Sequence, residues 1–183
     1  NFNEDISNWD VSSAINMGQM FYQASNFNQD ISSWDTGNVT SLLSAFVFAS
    51  SFNQNINSWN TGKVTTMVQC FYGCTNFNQN LSDWNISSLT TAVNMFGATT
   101  NLSVANYTDT VVGWAVFVYN NSGSPSSVSW TGATPNFDGT RTSDLASGQT
   151  YAAKYGANWT ATGWTDSQDA FDYLTTTLSW TIN

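Results

Sequence analysis

Apolar positions return along residues 2–102 with a fixed period of 25. Phe2-Asn3-Glu4-Asp5-Ile6 recurs as Phe27-Asn28-Gln29-Asp30-Ile31, as Phe52-Asn53-Gln54-Asn55-Ile56 and as Phe77-Asn78-Gln79-Asn80-Leu81. Within each copy the spacing changes. Ile31, Trp34 and Thr36 lie three then two apart, as do Ile6, Trp9, Val11 and Leu81, Trp84, Ile86. This L-x-x-L-x-L spacing, with Trp in its middle slot, predicts a short strand. Val39, Leu42, Phe46 and Ala49 follow at i, i+3, i+7 and i+10, and Met17, Met20, Phe21 and Ala24 at i, i+3, i+4 and i+7. That is one face of a short helix. Thr40 and Ser41, then Thr65 and Thr66, then Thr90 and Thr91, stand where its cap is wanted.

A repeat of this length predicts coils stacked on one another, each burying its apolar side against its neighbours. The expected fold is therefore an α/β repeat, a leucine-rich-repeat-like solenoid with one short parallel strand and one short helix per copy. Stacking places equivalent residues about 4.8 Å apart and generates columns. Phe2, Phe27, Phe52, Phe77 and Leu102 form one; Trp9, Trp34, Trp59 and Trp84 a second; Phe21, Phe46, Phe71 and Phe96 a third; Ile6, Ile31, Ile56 and Leu81 a fourth. Burial of each ring, on the order of 150–250 Å², makes these columns the expected core. Tyr22, Phe48 and Tyr72 lie beside the third Phe column and are the candidates for exposed contact rings. Asn3, Asn28, Asn53 and Asn78 read as a structural amide ladder joining the coils.

The period fails after Leu102, which divides the chain into a repeat array at 1–102 and a capping module of α+β type at 103–183. Tyr107, Val111, Trp114 and Val118 predict a helix, with Ser103 and Asn106 as possible caps. Val128-Ser129-Trp130 predicts a strand, 144–155 a helical piece, Ala170–Leu178 a helix and 179–183 an extended end. Residues 137–169 read as an insertion. The array opens directly on a repeat, so further chain or a partner subunit is expected over the first coil. Asn1 in place of a Met points to a processed or truncated chain.

Charge narrows the function. The chain has 183 residues, only 8% of them charged, and a net charge of −9. Its three basic residues, Lys63, Arg141 and Lys154, cannot form the cationic cluster that nucleic acid needs. Attraction to anionic membranes is disfavoured too, and no apolar run approaches a membrane span of about 20 residues. The absence of His removes the commonest general base and zinc ligand. Cys70 and Cys74 occupy core columns and read as buried free thiols. Asn-x-Ser/Thr triplets at Asn38, Asn80, Asn85, Asn101, Asn106, Asn120 and Asn158 carry sugar only in a glycosylating host.

The columns Asp5/Asp30 and Asp10/Asp35 hold the repeat-borne carboxylates. Stacked about 5 Å apart they repel unless solvated, protonated or bridged by a cation. A calcium ion between Asp5 and Asp30, or between Asp10 and Asp35, is the metal reading. Solvated turn residues are the favoured one, so no cofactor is expected. The same pairs are the only repeat-borne candidates for a two-carboxylate glycosidase, which needs a separation of about 5–9 Å.

Phe27-Asn28-Gln29-Asp30-Ile31-Ser32-Ser33-Trp34-Asp35 and Met17-Gly18-Gln19-Met20-Phe21 resemble the repeats of BspA-like leucine-rich-repeat surface proteins across 2–102. Leu102–Tyr107 with Val112-Gly113-Trp114-Ala115, and Ala170–Asn183 with Trp180-Thr181-Ile182, are similar to that family's closing helix, final helix and strand. The chain departs from the pattern at Ala14 and at Leu43–Ala45. The resemblance implies secreted or cell-surface proteins of bacteria, or proteins of phages and large viruses, acting in adhesion and binding. It supplies no catalytic residues. The expectation is a non-catalytic extracellular, cell-surface or virion-surface protein that binds a protein or glycan partner on a host or matrix. The alternatives are a structural component of a virion or extracellular filament and, third, a polysaccharide-active enzyme.

Overall fold

A computed structural model of the chain describes residues 2–122, 128–130, 162, 167–174 and 181–182. Residues 2–101 make four windings, 2–26, 27–51, 52–76 and 77–101, laid on one another in register. Isolated parallel bridges join Asn16 to Ser41, Ser41 to Thr66 and Thr66 to Thr91. The bonding continues past each bridge at alternate residues. Met17, Gln19, Phe21 and Gln23 donate their N–H groups to the carbonyls of Ser41, Leu43, Ala45 and Val47 in the next winding. The same four bonds recur from Leu42, Ser44, Phe46 and Phe48, and from Met67, Gln69, Phe71 and Gly73.

This wall explains two differences from the sequence expectation. The apolar spacing at 17–24 and its equivalents predicts a short helix, but the chain there runs through successive turns. Alternate N–H groups are committed to the neighbouring winding, so the i to i−4 bonds of a helix cannot form. The intervening N–H groups of Met20, Tyr22 and Ala24 close turns onto Met17, Gln19 and Phe21. The inter-winding bridge also falls at Asn16, Ser41, Thr66 and Thr91, not at the Ile6–Val11 segment where a strand is expected. That segment is held instead by turns in which Asp or Asn accepts from the N–H two residues on. Asp5 accepts from Ser7, Asp10 from Ser12, Asp30 from Ser32 and Asp35 from Gly37. Asn55, Asn60, Asn80 and Asn85 do the same in the later windings.

The columns fill the interior. Phe27, Phe52 and Phe77 stack at 5.9 and 6.1 Å between centroids, and Phe21, Phe46, Phe71 and Phe96 at 5.1, 5.3 and 5.8 Å. Trp34, Trp59 and Trp84 stack at 6.4 and 6.5 Å within 6° of parallel. Each indole also donates to the carbonyl 28 residues back: Trp34 to Ile6, Trp59 to Ile31 and Trp84 to Ile56. Burying an indole without a partner for its N–H is costly, and the column removes that cost at every junction.

The amide ladder forms as well, but on the surface. Oδ1 of Asn3, Asn28 and Asn53 accepts from the backbone N–H of Asn28, Asn53 and Asn78. Gln29, Gln54 and Gln79 clamp the same residues from the side.

The fourth winding is covered by α1, Val104–Asn120, capped by the Ser103 hydroxyl. The helix continues the windings' own contacts. Ser103 N–H takes the ladder position on Asn78, Asn106 Nδ2 replaces the clamping Gln, and Trp114 donates to Leu81. Gly113 allows this approach, because a Cβ there would sit 2.5 Å from the Ser82 backbone oxygen. Strand β1, Ser129–Trp130, pairs in parallel with β2, Thr181–Ile182. Helix α2, Ser167–Asp172, packs on α1 and begins before the expected Ala170. The helical piece expected at 144–155 and most of the expected insertion lie outside the described residues. Among the described residues no helix is long and apolar enough to cross a membrane.

Candidate functional site

The turn wall at 17–24 and its equivalents carries an exposed ridge. Each winding places two non-glycine or glycine residues at positive φ there: Gln19 and Gln23, Ser44 and Phe48, Gln69 and Gly73, Asn94 and Ala98. Left-handed backbone favours Gly and tolerates Asn, and costs a bulky residue on the order of 1–2 kcal/mol. Phe48 adopts φ 57° where the next winding has Gly73 at 70°. Its ring lies directly over Gly73, where any Cβ would collide with it. Tyr72 is seated on Gly97 in the same way, and a Cβ there would be 2.5 Å from the ring.

The structure therefore brings two of the three expected contact rings together. Phe48 and Tyr72 meet edge to face at 5.6 Å. Tyr22 stands at the same level of its own winding and is 46% exposed, Phe48 45%, while Tyr72 is half-buried. Gln19, Gln23, Gln69 and Asn94 lie on the same turns as these rings. Leu43 and Met20 are also exposed on this wall, although the apolar spacing had placed Met20 on a helical face. A sequence signal for the ridge does exist: Gly73 and Gly97 each follow an aromatic by one residue or by a whole winding.

The carboxylates Asp5, Asp10, Asp30 and Asp35 are exposed, each turned back onto its own turn. The Ser7 backbone N–H holds Asp5 below the ordinary carboxyl value, and the Ser32 N–H does the same for Asp30. For Asp10 the Ser12 hydroxyl is the larger cause, at 2.7 Å, followed by its N–H. Hydrogen bonds to the charged form favour it, so Asp5, Asp10 and Asp30 are held as anions, each with its Oδ1 engaged in its own turn.

Cys70 and Cys74 are buried free thiols. Burial pushes Cys70 up, helped by the neighbouring Cys74, and raises Cys74 to about 12. Cys74 Sγ donates to the Phe46 carbonyl at 2.7 Å, the bond that Thr99 makes to Phe71 one winding later. Both cysteines serve packing rather than nucleophilic chemistry.

The first winding departs from the core expectation. Phe2 is 39% exposed and Trp9 55%, whereas Trp34 and Trp59 are buried. Ile15, Met20 and Tyr22 of the same winding are exposed too. Column members of this winding are therefore split: Ile6 and Phe21 are buried by their own winding and the next, whereas Phe2 and Trp9 are left uncovered.

A family model described as "Mycoplasma protein of unknown function, DUF285" matches residues 1–108. No curated protein and no solved structure matches the chain.

Proposed function

The chain belongs to the DUF285 family, and from that premise we propose that it is a non-catalytic binding protein of the BspA-like, leucine-rich-repeat-like kind. The windings form the solenoid and the segment from Ser103 onward is its α+β cap. In this reading it is displayed outside the cell, on a cell or virion surface, and engages a protein or glycan of a host or matrix. Further chain or a subunit lies on the first winding.

The observation that carries the reading is Phe48. A half-exposed aromatic is held in strained backbone at a position where Gly73 serves the next winding at no steric cost. Strain retained on a surface supports a binding role there. Rings seated on glycines, with amide residues on the same turns, suit a neutral sugar or a peptide, since aromatic faces stack and amides hydrogen-bond. The charge balance disfavours anionic partners.

The test is binding of the full chain to arrays of neutral glycans and matrix proteins, compared with Tyr22→Asn and Phe48→Asn. Asn accepts the left-handed backbone of position 48, and Tyr22 is an exposed side chain, so the fold is retained. Loss of a measured interaction at unchanged melting temperature supports the reading. Binding indifferent to both changes, or no binding at all, overturns the ridge as the contact. Polysaccharide turnover abolished by Asp30→Asn would overturn the non-catalytic assignment.

A second reading, a structural component of a virion or filament, is favoured by the apolar side of the first winding. Ordered polymers seen at rising protein concentration would select it.

A further inference from the structure

Every junction between windings uses one set of bonds in fixed directions. The upper winding of each pair offers backbone donors. Thr40, Thr65 and Thr90 N–H reach Ile15, Thr40 and Thr65. Ser51, Asn76 and Asn101 reach Ser25, Ser50 and Thr75. The ladder N–H and the Trp indole complete the set. The lower winding returns four donors, which end on carbonyls such as Ser41, Leu43, Ala45 and Val47.

On the first winding the matching groups are in place and open. Among the described residues, no donor reaches the carbonyls of Asn16, Gly18, Met20 and Tyr22. Likewise no acceptor meets the N–H groups of Asn3, Ile15 and Asn26 or the indole of Trp9. These groups surround exposed Phe2, Trp9 and Ile15.

We infer that this side of the first winding is a docking surface for one further winding of the same repeat. The inference deepens the proposal that further polypeptide lies on this winding, and it stands or falls separately from the binding role of the ridge. The chemistry required of the partner is specific. It must supply four N–H groups at alternate residues opposite the four carbonyls. It must also supply an Asn Oδ1 for Asn3, carbonyls for Ile15, Asn26 and the Trp9 indole, and a Phe and a Trp to stack. A second copy meeting this one head to head about a two-fold axis fails the requirement, because its carbonyl row would face the same row here. A winding such as 27–51 meets every term, since it does so at its own upper junction.

The test fuses a copy of residues 27–51 in frame ahead of Phe2 of the full chain. Hydrogen exchange is then followed at the Trp9 indole and the Ile15 amide, with Trp9→Phe assigning the indole resonance. The expected result is exchange slowed about tenfold or more at both sites, with a higher melting temperature. A control fusion carrying the same 25 residues in scrambled order should leave both sites fast. Unchanged exchange in the native-order fusion overturns the inference, as does equal protection by the scrambled one. Protection of Trp9 in the unextended chain on self-association would assign the surface to a second copy instead. Ridge binding is measured on the same proteins and is expected to be unaffected.

Discussion

The indole of Trp114 donates to the carbonyl of Leu81 at 3.0 Å, so a helix completes the bond that Trp34, Trp59 and Trp84 make between windings. Replacement by Phe removes that bond while the Leu81 carbonyl keeps the Trp84 N–H as a donor, so the cost is about 0.5–1.5 kcal/mol. Ala at Trp34 adds a cavity and costs about 3–5 kcal/mol. Urea denaturation of Trp114→Phe and Trp34→Ala measures both, and an unchanged midpoint for Trp34→Ala would place that ring outside the core.

Asn53 accepts three bonds on one side: its Oδ1 accepts from Asn78 N–H and from Gln79 Nε2, and its backbone carbonyl also accepts from Gln79 Nε2. Asn53→Ala is expected to cost about 0.5–1.5 kcal/mol. Asn53→Asp keeps the acceptor and should cost less. The order of the two melting temperatures checks the prediction; a reversed order would assign the role to the NH₂ group.

Acid should weaken the windings through their turns. Asp5, Asp10 and Asp30 lie below the ordinary value of 3.8, so each favours the fold when ionised. That contribution is present above the unfolded value and is lost as pH falls through the lower folded value. Asp30→Asn should leave stability near neutral pH unchanged, because Asn55 and Asn80 close the same turn. It should also flatten the acid limb of the stability profile, as read by denaturation between pH 5 and pH 2.

The thiols predict the opposite limb. Cys70 and Cys74 have folded values raised above 9.0, the latter to about 12. Their contribution is full below the unfolded value and is lost as pH rises from there through the folded one. Both should resist a thiol reagent at neutral pH in the folded chain and react promptly in denaturant. Reaction of either in the native protein would show that the stack opens locally. Cys74→Ser retains a donor to Phe46 and should be tolerated better than Cys74→Val.

Gly113 marks a close approach of α1 to the fourth winding, with Ser82 directly opposite. Gly113→Ala drives a methyl into the Ser82 backbone and should destabilise by about 1–3 kcal/mol, despite the better helix propensity of Ala. Among the described residues Ser82 Oγ is buried without a hydrogen-bond partner, so Ser82→Ala is expected to be neutral or stabilising. Thermal melts of the two variants, moving in opposite directions, check the contact.

The columns were legible in the sequence because period and side-chain size act together: a Phe or Trp every 25 residues can be buried only by its own kind. The first helix was legible for a related reason, through Tyr107, Val111, Trp114 and Val118, all but the helix polarity being set by apolar spacing. The turn wall was not. Met17, Met20, Phe21 and Ala24 fit a helical face, and nothing in apolar spacing reveals that alternate N–H groups leave for the next winding. The trace that did exist lay in the residues that accept positive φ, Gly73 and Asn94, and it was diluted by Gln19, Ser44 and Phe48 at equivalent places. Asp giving way to Asn along two columns favoured turn residues over a metal in the sequence, and the Oδ1-to-N–H geometry supplies the turns.

The alternating donors at 17, 19, 21 and 23 and their counterparts all point the same way along the stack. Interchangeable units that join by one asymmetric rule have no built-in length. A gene encoding them can gain or lose a whole copy by recombination between its own repeats, and the protein that results meets no new seam. Size in this array is therefore open to inheritance in steps, while the surface that each step adds is free to diverge.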